Sequence, residues 1–402
     1  MTFGRRDFLA GAAAAGVAPL AAGAAQAAQT VTLPIGNGTR PLVAFPQKRP
    51  LIMLSPRPPL LETPLAVFNE SVLTPNDAFY VRWHLSGIPT TVDAATHRIR
   101  VHGQVKHPLS LSVEDLRRNF ETVELVAVNQ CSGNSRGLFD PRVPGGQWDN
   151  GAMGNARWTG VRLTDVLAKA GLRDGVRQIR FHGLERPALP TTPPFVKALS
   201  IDDVIDKGDI LIAYEMNGAP LPLLNGYPVR LVVPGWYATY WMKMLADIEA
   251  IDTVDDNFWM KTAYRIPQTP GNTVKPTDSG YKTVPINRMT VRSFVTSVAD
   301  GAVVHPGPQT VRGIAFDGGS GIASVQFSSD GGTTWRSAQL GRDYGNYSFR
   351  QWESSFTAQR GKSYTLACRA VANSGERQTT VPVWNPGGYL RNVVETYKVT
   401  VS

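Results

Sequence analysis

Proline and glycine punctuate this chain so often that long helices are excluded over most of its length. Thirty prolines and 38 glycines are spread through 402 residues. Proline removes a backbone donor and glycine favours turns, so short strands and loops are left between them. Helical patterning survives in three places. In Leu163-Thr-Asp-Val-Leu-Ala-Lys-Ala-Gly171, Leu163, Val166, Leu167 and Ala170 fall on one face and Gly171 stops the helix. Residues 112–118 and 200–205 each begin at a serine N-cap with acids in the first turn.

A change of texture divides the chain. Residues 266–285 carry Pro267, Pro270, Pro276 and Pro285, two glycines and little hydrophobic pattern, and read as a linker. Before it, residues 98–105 and 178–183 alternate like half-buried strands, and 229–233 is an apolar run ended by Pro234-Gly235. After it, short strands at 323–327, 363–369 and 396–401 are separated by turn clusters at 317–321 and 330–332. That spacing predicts an immunoglobulin-like β-sandwich. An α+β chain of two domains follows, the first over residues 28–285 and the second over 286–402. Within the second, residues 328–335 match an Asp-box hairpin, which in a single copy is a structural turn.

Residues 1–27 read as an export signal. Gly4-Arg5-Arg6-Asp7-Phe8-Leu9 precedes an Ala/Gly-rich stretch ending Ala25-Gln26-Ala27. The paired arginines and the weakly hydrophobic stretch fit the twin-arginine route, which carries folded proteins. A periplasmic protein loaded with its cofactor before export is expected. Nothing later approaches the ~18–20 consecutive apolar residues of a membrane span. A net charge of +9 suits acidic partners or anionic substrates. No Lys/Arg-rich run with interleaved aromatics occurs, so nucleic acid is not an expected partner.

Cys131 is one of two cysteines. An alternating run from Glu124 to Val128 leads into Val128-Asn-Gln-Cys-Ser-Gly-Asn-Ser-Arg136, which predicts a strand delivering a thiol onto a small-residue loop. The sulfur could be a metal ligand, a nucleophile, half of a disulfide or a buried core group. Cys368 shares an alternating strand face with Tyr364, Leu366 and Ala370 and looks like a small core residue, which disfavours a bridge. The six histidines are scattered without a protease signature, and there is no zinc-type cluster.

Several segments in order resemble the sulfite oxidase family of molybdenum enzymes. Phe79-Tyr-Val-Arg-Trp-His84 is similar to that family's Phe/Tyr-Val-Arg-x-His segment, and Asn129-Gln-Cys-Ser-Gly-Asn-Ser-Arg136 to its Cys-x-Gly-Asn-x-Arg loop. Ala156-Arg-Trp-Thr-Gly-Val-Arg-Leu163, Ala213-Tyr-Glu-Met-Asn-Gly218, Tyr227-Pro-Val-Arg230 and Trp259-Met-Lys-Thr-Ala-Tyr264 follow in family order. Asp330-Gly-Gly-Thr-Thr-Trp335 and Val383-Trp-Asn385 match its dimerisation domain.

The resemblance implies a mixed α/β molybdopterin domain followed by an immunoglobulin-like dimerisation domain in a homodimer. It implies Mo-molybdopterin with Cys131 as the protein ligand to molybdenum, since a soft thiolate suits that metal. Arg82, His84, Arg136 and Tyr264 are implied at the catalytic site. Tyr80, Arg82, His84, Glu185, Asn225, Arg230, Trp241, Met242 and Lys243 are implied as cofactor contacts. The implied reaction oxidises sulfite to sulfate. The chain shows no haem attachment motif, so a separate c-type cytochrome is implied as electron acceptor. An alternative within the same resemblance is a molybdopterin reductase of methionine sulfoxide or another small oxidised substrate, which the C-terminal sandwich disfavours. A rival of another class is an exported binding protein that has lost catalysis. The chain departs from the animal enzymes at Glu185, Asn225, Trp241 and Met242. It also has Pro386-Gly387-Gly388 where the vertebrate enzymes place an arginine just after Trp-Asn.

Overall fold

The computed structural model describes residues 29–33, 36–206 and 208–402, so the export signal expected at 1–27 lies outside the described residues. No helix among them is long and apolar enough to cross a membrane. The three predicted helices form as Val113–Asn119, Leu163–Ala170 and Ile201–Ile205. Ser112 accepts from the Asp115 backbone and Asp115 reaches back to Ser112, a reciprocal cap that satisfies two otherwise unpaired N–H groups. Leu163, Val166, Leu167 and Ala170 are the buried face of the second helix, and Gly171 ends it at φ 66°.

Two sheets build the frame of the first domain. A mixed sheet orders Val196–Ser200, Gln178–Gly183, Leu245–Ile251, Ile99–Gly103 and Leu109–Leu111, with the Leu245–Ile251 and Ile99–Gly103 pair parallel. An antiparallel sheet orders Ala219–Pro220, Leu211–Met216, Met153–Arg162 and Val123–Gln130, and Arg230–Val232 also pairs with Leu211–Met216. Val123–Gln130 runs in unbroken register with Met153–Arg162 as far as Gln130 opposite Met153. Pairing stops there, and Cys131 is the first residue of the loop. An N-terminal antiparallel meander from Thr30–Thr32 to Val81–Arg82 supplies the third wall.

The C-terminal domain is a sandwich of two sheets. One orders Arg292–Val295, Gly307–Phe316, Arg350–Ala358 and Gln339–Leu340, and the other Ala302–Val304, Thr396–Val401, Ser363–Ala372, Ile322–Ser328 and Arg336–Ser337. Val295, Val311, Ala315 and Trp352 of the first pack against Phe327, Leu366, Cys368 and Val399 of the second. Cys368 is the buried core thiol its strand pattern implies, and both cysteines are free. Asp330 closes the Asp-box turn, accepting from the Thr334 backbone at 2.9 Å and from the Ser328 hydroxyl at 2.7 Å.

The first of these sheets is buried on both faces at one end, where Arg292–Val295 pairs with the end of Gly307–Phe316. Phe294, Ile314 and Phe316 alternate with the sandwich residues and join the core of the first domain instead. The segment read as a patternless linker is likewise structured at both ends. Arg265–Pro267 pairs antiparallel with Thr283–Pro285, with Ile266 buried. Proline fits there because a two-stranded edge ribbon leaves N–H positions that need no partner. Between those ends Val274 donates its backbone N–H to Trp384 O at 2.9 Å, tying the excursion to the second domain.

A buried polar junction joins the domains beneath the Cys131 loop. Arg292, fully enclosed, pairs with Glu395 at 2.8 Å and donates to Asn150 Oδ1 at 2.6 Å. Glu62 lies beside it and accepts from the backbones of Gly151 at 2.7 Å and Asp149 at 3.1 Å. Burial, then the charge of Asp149, pushes the Glu62 carboxyl up to about 8. An acid raised in the folded state binds more protons folded than unfolded, so its contribution falls as pH rises from the unfolded toward the folded pKa. Glu62→Gln keeps the shape and cannot ionise. Its melting temperature relative to the wild type should therefore rise steadily between about pH 5 and 7. A pH-independent difference in paired thermal melts would contradict this.

Candidate active site

The site begins with simple alternation. In residues 79–84, Phe79, Val81 and Trp83 point into the core, while Tyr80, Arg82 and His84 share the opposite face and line one cavity. Cys131, 6% exposed, enters the same cavity from the end of Val123–Gln130. Asn129, Ser132, Asn225, Arg230, Thr239, Lys243 and Tyr264 complete its polar lining, around about 420 Å³ of atom-free space that is partly open to solvent.

The Cys131 loop is locked by its own backbone. Cys131 N donates to Ala152 O at 2.9 Å, Asn134 N to Cys131 O at 3.0 Å and Arg136 N to Gly133 O at 3.0 Å. The Asn134 amide bridges Asn150 O and Ala152 N. A Cβ on Gly133 would lie 2.5 Å from the Arg136 guanidinium, so a side chain there would push that arginine aside. Arg136 is not part of that lining and stands beside it, with Nε donating to Gly387 O at 3.0 Å and its guanidinium over the Tyr389 ring.

His84 is stacked on Phe195 with centroids 3.4 Å apart and touches Trp259 edge-on. Its Nε2 lies 2.7 Å from Tyr264 Oη. Burial, then the neighbouring Arg82, holds the imidazole well below its ordinary pKa, so it is neutral. Burial drives the Tyr264 phenol upward, with Arg82 opposing, so the phenol keeps its proton. Tyr264 adopts φ 58°, a strained conformation for a tyrosine, and its carbonyl is fixed by Ile286 N at 2.8 Å. The short ribbon that follows it therefore sets its direction.

The other implied residues divide into two groups. Tyr80, Asn225, Arg230 and Lys243 reach the cavity. Tyr80 Oη donates to Asn129 Oδ1 at 2.6 Å, and Arg230 Nη1 donates to Asn225 O at 2.9 Å. Glu185, Trp241 and Met242 stand behind the lining. Glu185 accepts from the His84 and Leu85 backbones at 3.2 and 2.9 Å and so fixes the strand end that carries His84. Trp241 O accepts from Arg230 Nη2 at 3.3 Å, and Met242 O accepts from Leu231 N at 2.8 Å, so these two shape the strand that bears Arg230.

Sequence reasoning passed over Asn129, Ser132, Thr239, Lys48 and Phe195. The first two flank Cys131 inside the motif and could have been taken with it. Lys48 and Thr239 stand in no recognisable pattern. Lys48 Nζ donates to Asn225 Oδ1 and to the carbonyls of Asn76 at 2.5 Å and Phe79 at 3.0 Å, holding the cavity floor.

The donor set fits a large polar anion bound through sulfur chemistry. Arg82 Nη1, His84 Nδ1, Asn129 Nδ2, Ser132 Oγ, Arg230 Nε and Thr239 Oγ1 are buried without a hydrogen bond, and every one belongs to a residue lining this cavity. Leaving a buried polar atom unsatisfied costs about 1–3 kcal/mol, so six in one cavity mark a place made for a ligand. Burial pushes Lys243 down to about 7, and Glu185 only partly offsets it. An anion beside it would restore its charge. Cys131 would hold molybdenum, and the Asn, Ser, Thr, Arg and Lys groups would hold the pterin and its charged tail.

Comparison with known proteins agrees with this geometry. Residues 85–259 match the oxidoreductase molybdopterin binding domain, and residues 283–402 match the Mo-co oxidoreductase dimerisation domain. The chain is 34% identical over 367 residues to sulfite oxidase of Gallus gallus, covering 87% of this chain and 78% of that one. It is 33% identical over 380 residues to mitochondrial sulfite oxidase of Homo sapiens, covering 90% and 68%. It is 30% identical over 368 residues to sulfite oxidase of Arabidopsis thaliana, covering 86% and 93%. The sulfane dehydrogenase SoxCD from Paracoccus pantotrophus shares the fold, with a TM-score of 0.74, 24% identity and coverage of 86% of this chain and 85% of that one. With a molybdopterin binding domain followed by a C-terminal dimerisation domain, the chain belongs to the sulfite oxidase family of molybdenum oxidoreductases.

Proposed function

We propose that this protein is a periplasmic sulfite dehydrogenase that forms homodimers and passes its electrons to a c-type cytochrome. The balanced reaction is sulfite plus water to sulfate, two electrons and two protons. The observation that carries the reading is the convergence of Cys131, Arg82, His84 and Tyr264 on one cavity, with Arg82 Nη1 unpartnered there. The sulfite oxidases of animals and plants that the chain resembles support the substrate, and the paired arginines near the N-terminus support export.

The bound molybdenum–pterin supplies the two-electron redox chemistry and oxygen transfer. The chain supplies position and proton control. Arg82, buried beside the Tyr264 ring at 6.0 Å, offers a fixed charged donor to a sulfur oxyanion. Arginine suits this role because it stays charged and presents a planar fork. The Tyr264 phenol and neutral His84, 2.7 Å apart, form a pair able to hold and pass one of the released protons. Aromatic walls from Phe195 and Trp259 keep that pair out of bulk water.

Purified holoprotein should reduce ferricyanide or cytochrome c only when sulfite is added. Loaded protein that reduces methionine sulfoxide and ignores sulfite would instead establish the reductase reading. Arg82→Gln should lower kcat/KM for sulfite by about 10- to 100-fold, the value of a charged hydrogen bond to the anion, mainly through KM. Steady-state kinetics with unchanged kcat/KM would remove Arg82 from the substrate pocket.

A further inference from the structure

The C-terminal domain contributes a side chain to the site through the turn from Asn385 to Tyr389. Asn385, fully buried, closes that turn: its Nδ2 donates to Tyr389 O at 2.9 Å, and its Oδ1 accepts from Tyr389 N at 3.1 Å. Two glycines make the turn possible. A Cβ on Gly387 would lie 2.3 Å from the Tyr389 ring. Gly388 sits at φ 61°, where a Cβ would lie 2.6 Å from Val143 and 2.8 Å from Arg136 Cγ. The segment that lacks the vertebrate arginine is therefore shaped to bring a tyrosine back over the site.

The ring meets both halves of the machinery. It lies nearly parallel to Tyr264, with centroids 5.7 Å apart and planes at 15°. Arg136 Cζ is 5.3 Å from its centroid. Arg136 spends Nε on Gly387 O and Nη1 on Gly146 O at 3.4 Å, leaving Nη2 without a protein hydrogen bond among the described residues. A Cβ on Gly133 or Gly145 would lie 2.5 or 2.9 Å from the same guanidinium, so two glycines leave it the room it occupies over the aromatic face. An electron-rich ring attracts and orients a guanidinium without neutralising it.

We propose that Tyr389 is a positioning residue that sets oxyanion affinity, its ring holding Arg136 with Nη2 available to a sulfur oxyanion. The assignment rests on the reading of this cavity as a sulfur-oxyanion site. It also gives the second domain a part in substrate recognition: beside a lining that already carries Arg82, Arg230 and Lys243, a neutral aromatic ring holds one further cation, Arg136.

Tyr389→Leu keeps apolar bulk and removes the π face, while Tyr389→Phe keeps the face and removes the hydroxyl. In holoprotein with matched molybdenum content and melting temperature, two quantities are read. One is the kcat–KM split for sulfite. The other is the Kd for sulfate from the visible spectrum of the oxidised protein. Losing the cation–π contact should raise sulfite KM and sulfate Kd together by about tenfold in Tyr389→Leu, with kcat changed by less than about threefold. Tyr389→Phe should stay close to wild type in both. Unchanged KM and Kd in Tyr389→Leu overturn the proposal. So does an equal loss in Tyr389→Phe, which would assign the effect to the hydroxyl, and so does loss of metal or fold in Tyr389→Leu, which would assign it to packing. If the wild type binds sulfate without oxidising sulfite and Tyr389→Leu weakens that binding, the proposed reaction fails while the role of Tyr389 stands.

Discussion

The six-residue loop from Cys131 to Arg136 is held between two domains, and the rest of the site takes its geometry from that grip. From one side the strand Val123–Gln130 delivers the loop in fixed register against Met153–Arg162. Underneath, Asn134 and Ser135 bond to Asn150, which in turn bonds to the buried Arg292–Glu395 pair of the C-terminal sandwich. A buried ion pair adds little net stability, because desolvating two charges offsets most of their attraction, but breaking one partner is costly. Its value here is geometric. The network fixes one relation between the sandwich and the thiol-bearing loop, so a residue such as Tyr389 can be placed against Tyr264 by a separate domain.

A second constraint is burial of charge. Lys48, Lys197 and Lys243 are each enclosed enough that desolvation pulls them to about 7, and Arg230 is drawn down to about 10. Lys197 is used within the protein, donating to Trp259 O at 2.7 Å and lying over the rings of Tyr240 and Tyr264. Lys48 is used to hold Asn225. Arg230 and Lys243 face the cavity with unmet capacity, which is where a ligand carrying negative charge returns the cost of enclosing them.

Much of this was legible in the chain. The period-two alternation of residues 79–84 puts Tyr80, Arg82 and His84 on one face, and the run before Cys131 is the strand it looks like. The serine caps and the Gly171 stop mark their helices. Other features depend on contacts distant in sequence. The ribbon at 265–267 and 283–285 is hidden by prolines that look like linker and are edge residues. Glu185, Trp241 and Met242 lie near the site in sequence and space, yet they act on the backbone behind the lining. Lys48 is 177 residues from the asparagine it holds, and no local pattern announces such a pairing. The missing arginine at 386–388 was visible, but the tyrosine folded back by those glycines could be found only once Arg136 and Tyr264 were placed beside it.

The central claim is that Cys131 is the protein's sulfur ligand to molybdenum. Molybdenum X-ray absorption on the purified wild type and Cys131→Ser, each with its metal content measured, tests it directly. The account predicts that the variant's metal has one sulfur neighbour fewer, with a lighter oxygen or nitrogen neighbour in its place. An unchanged sulfur shell in fully loaded Cys131→Ser would contradict it.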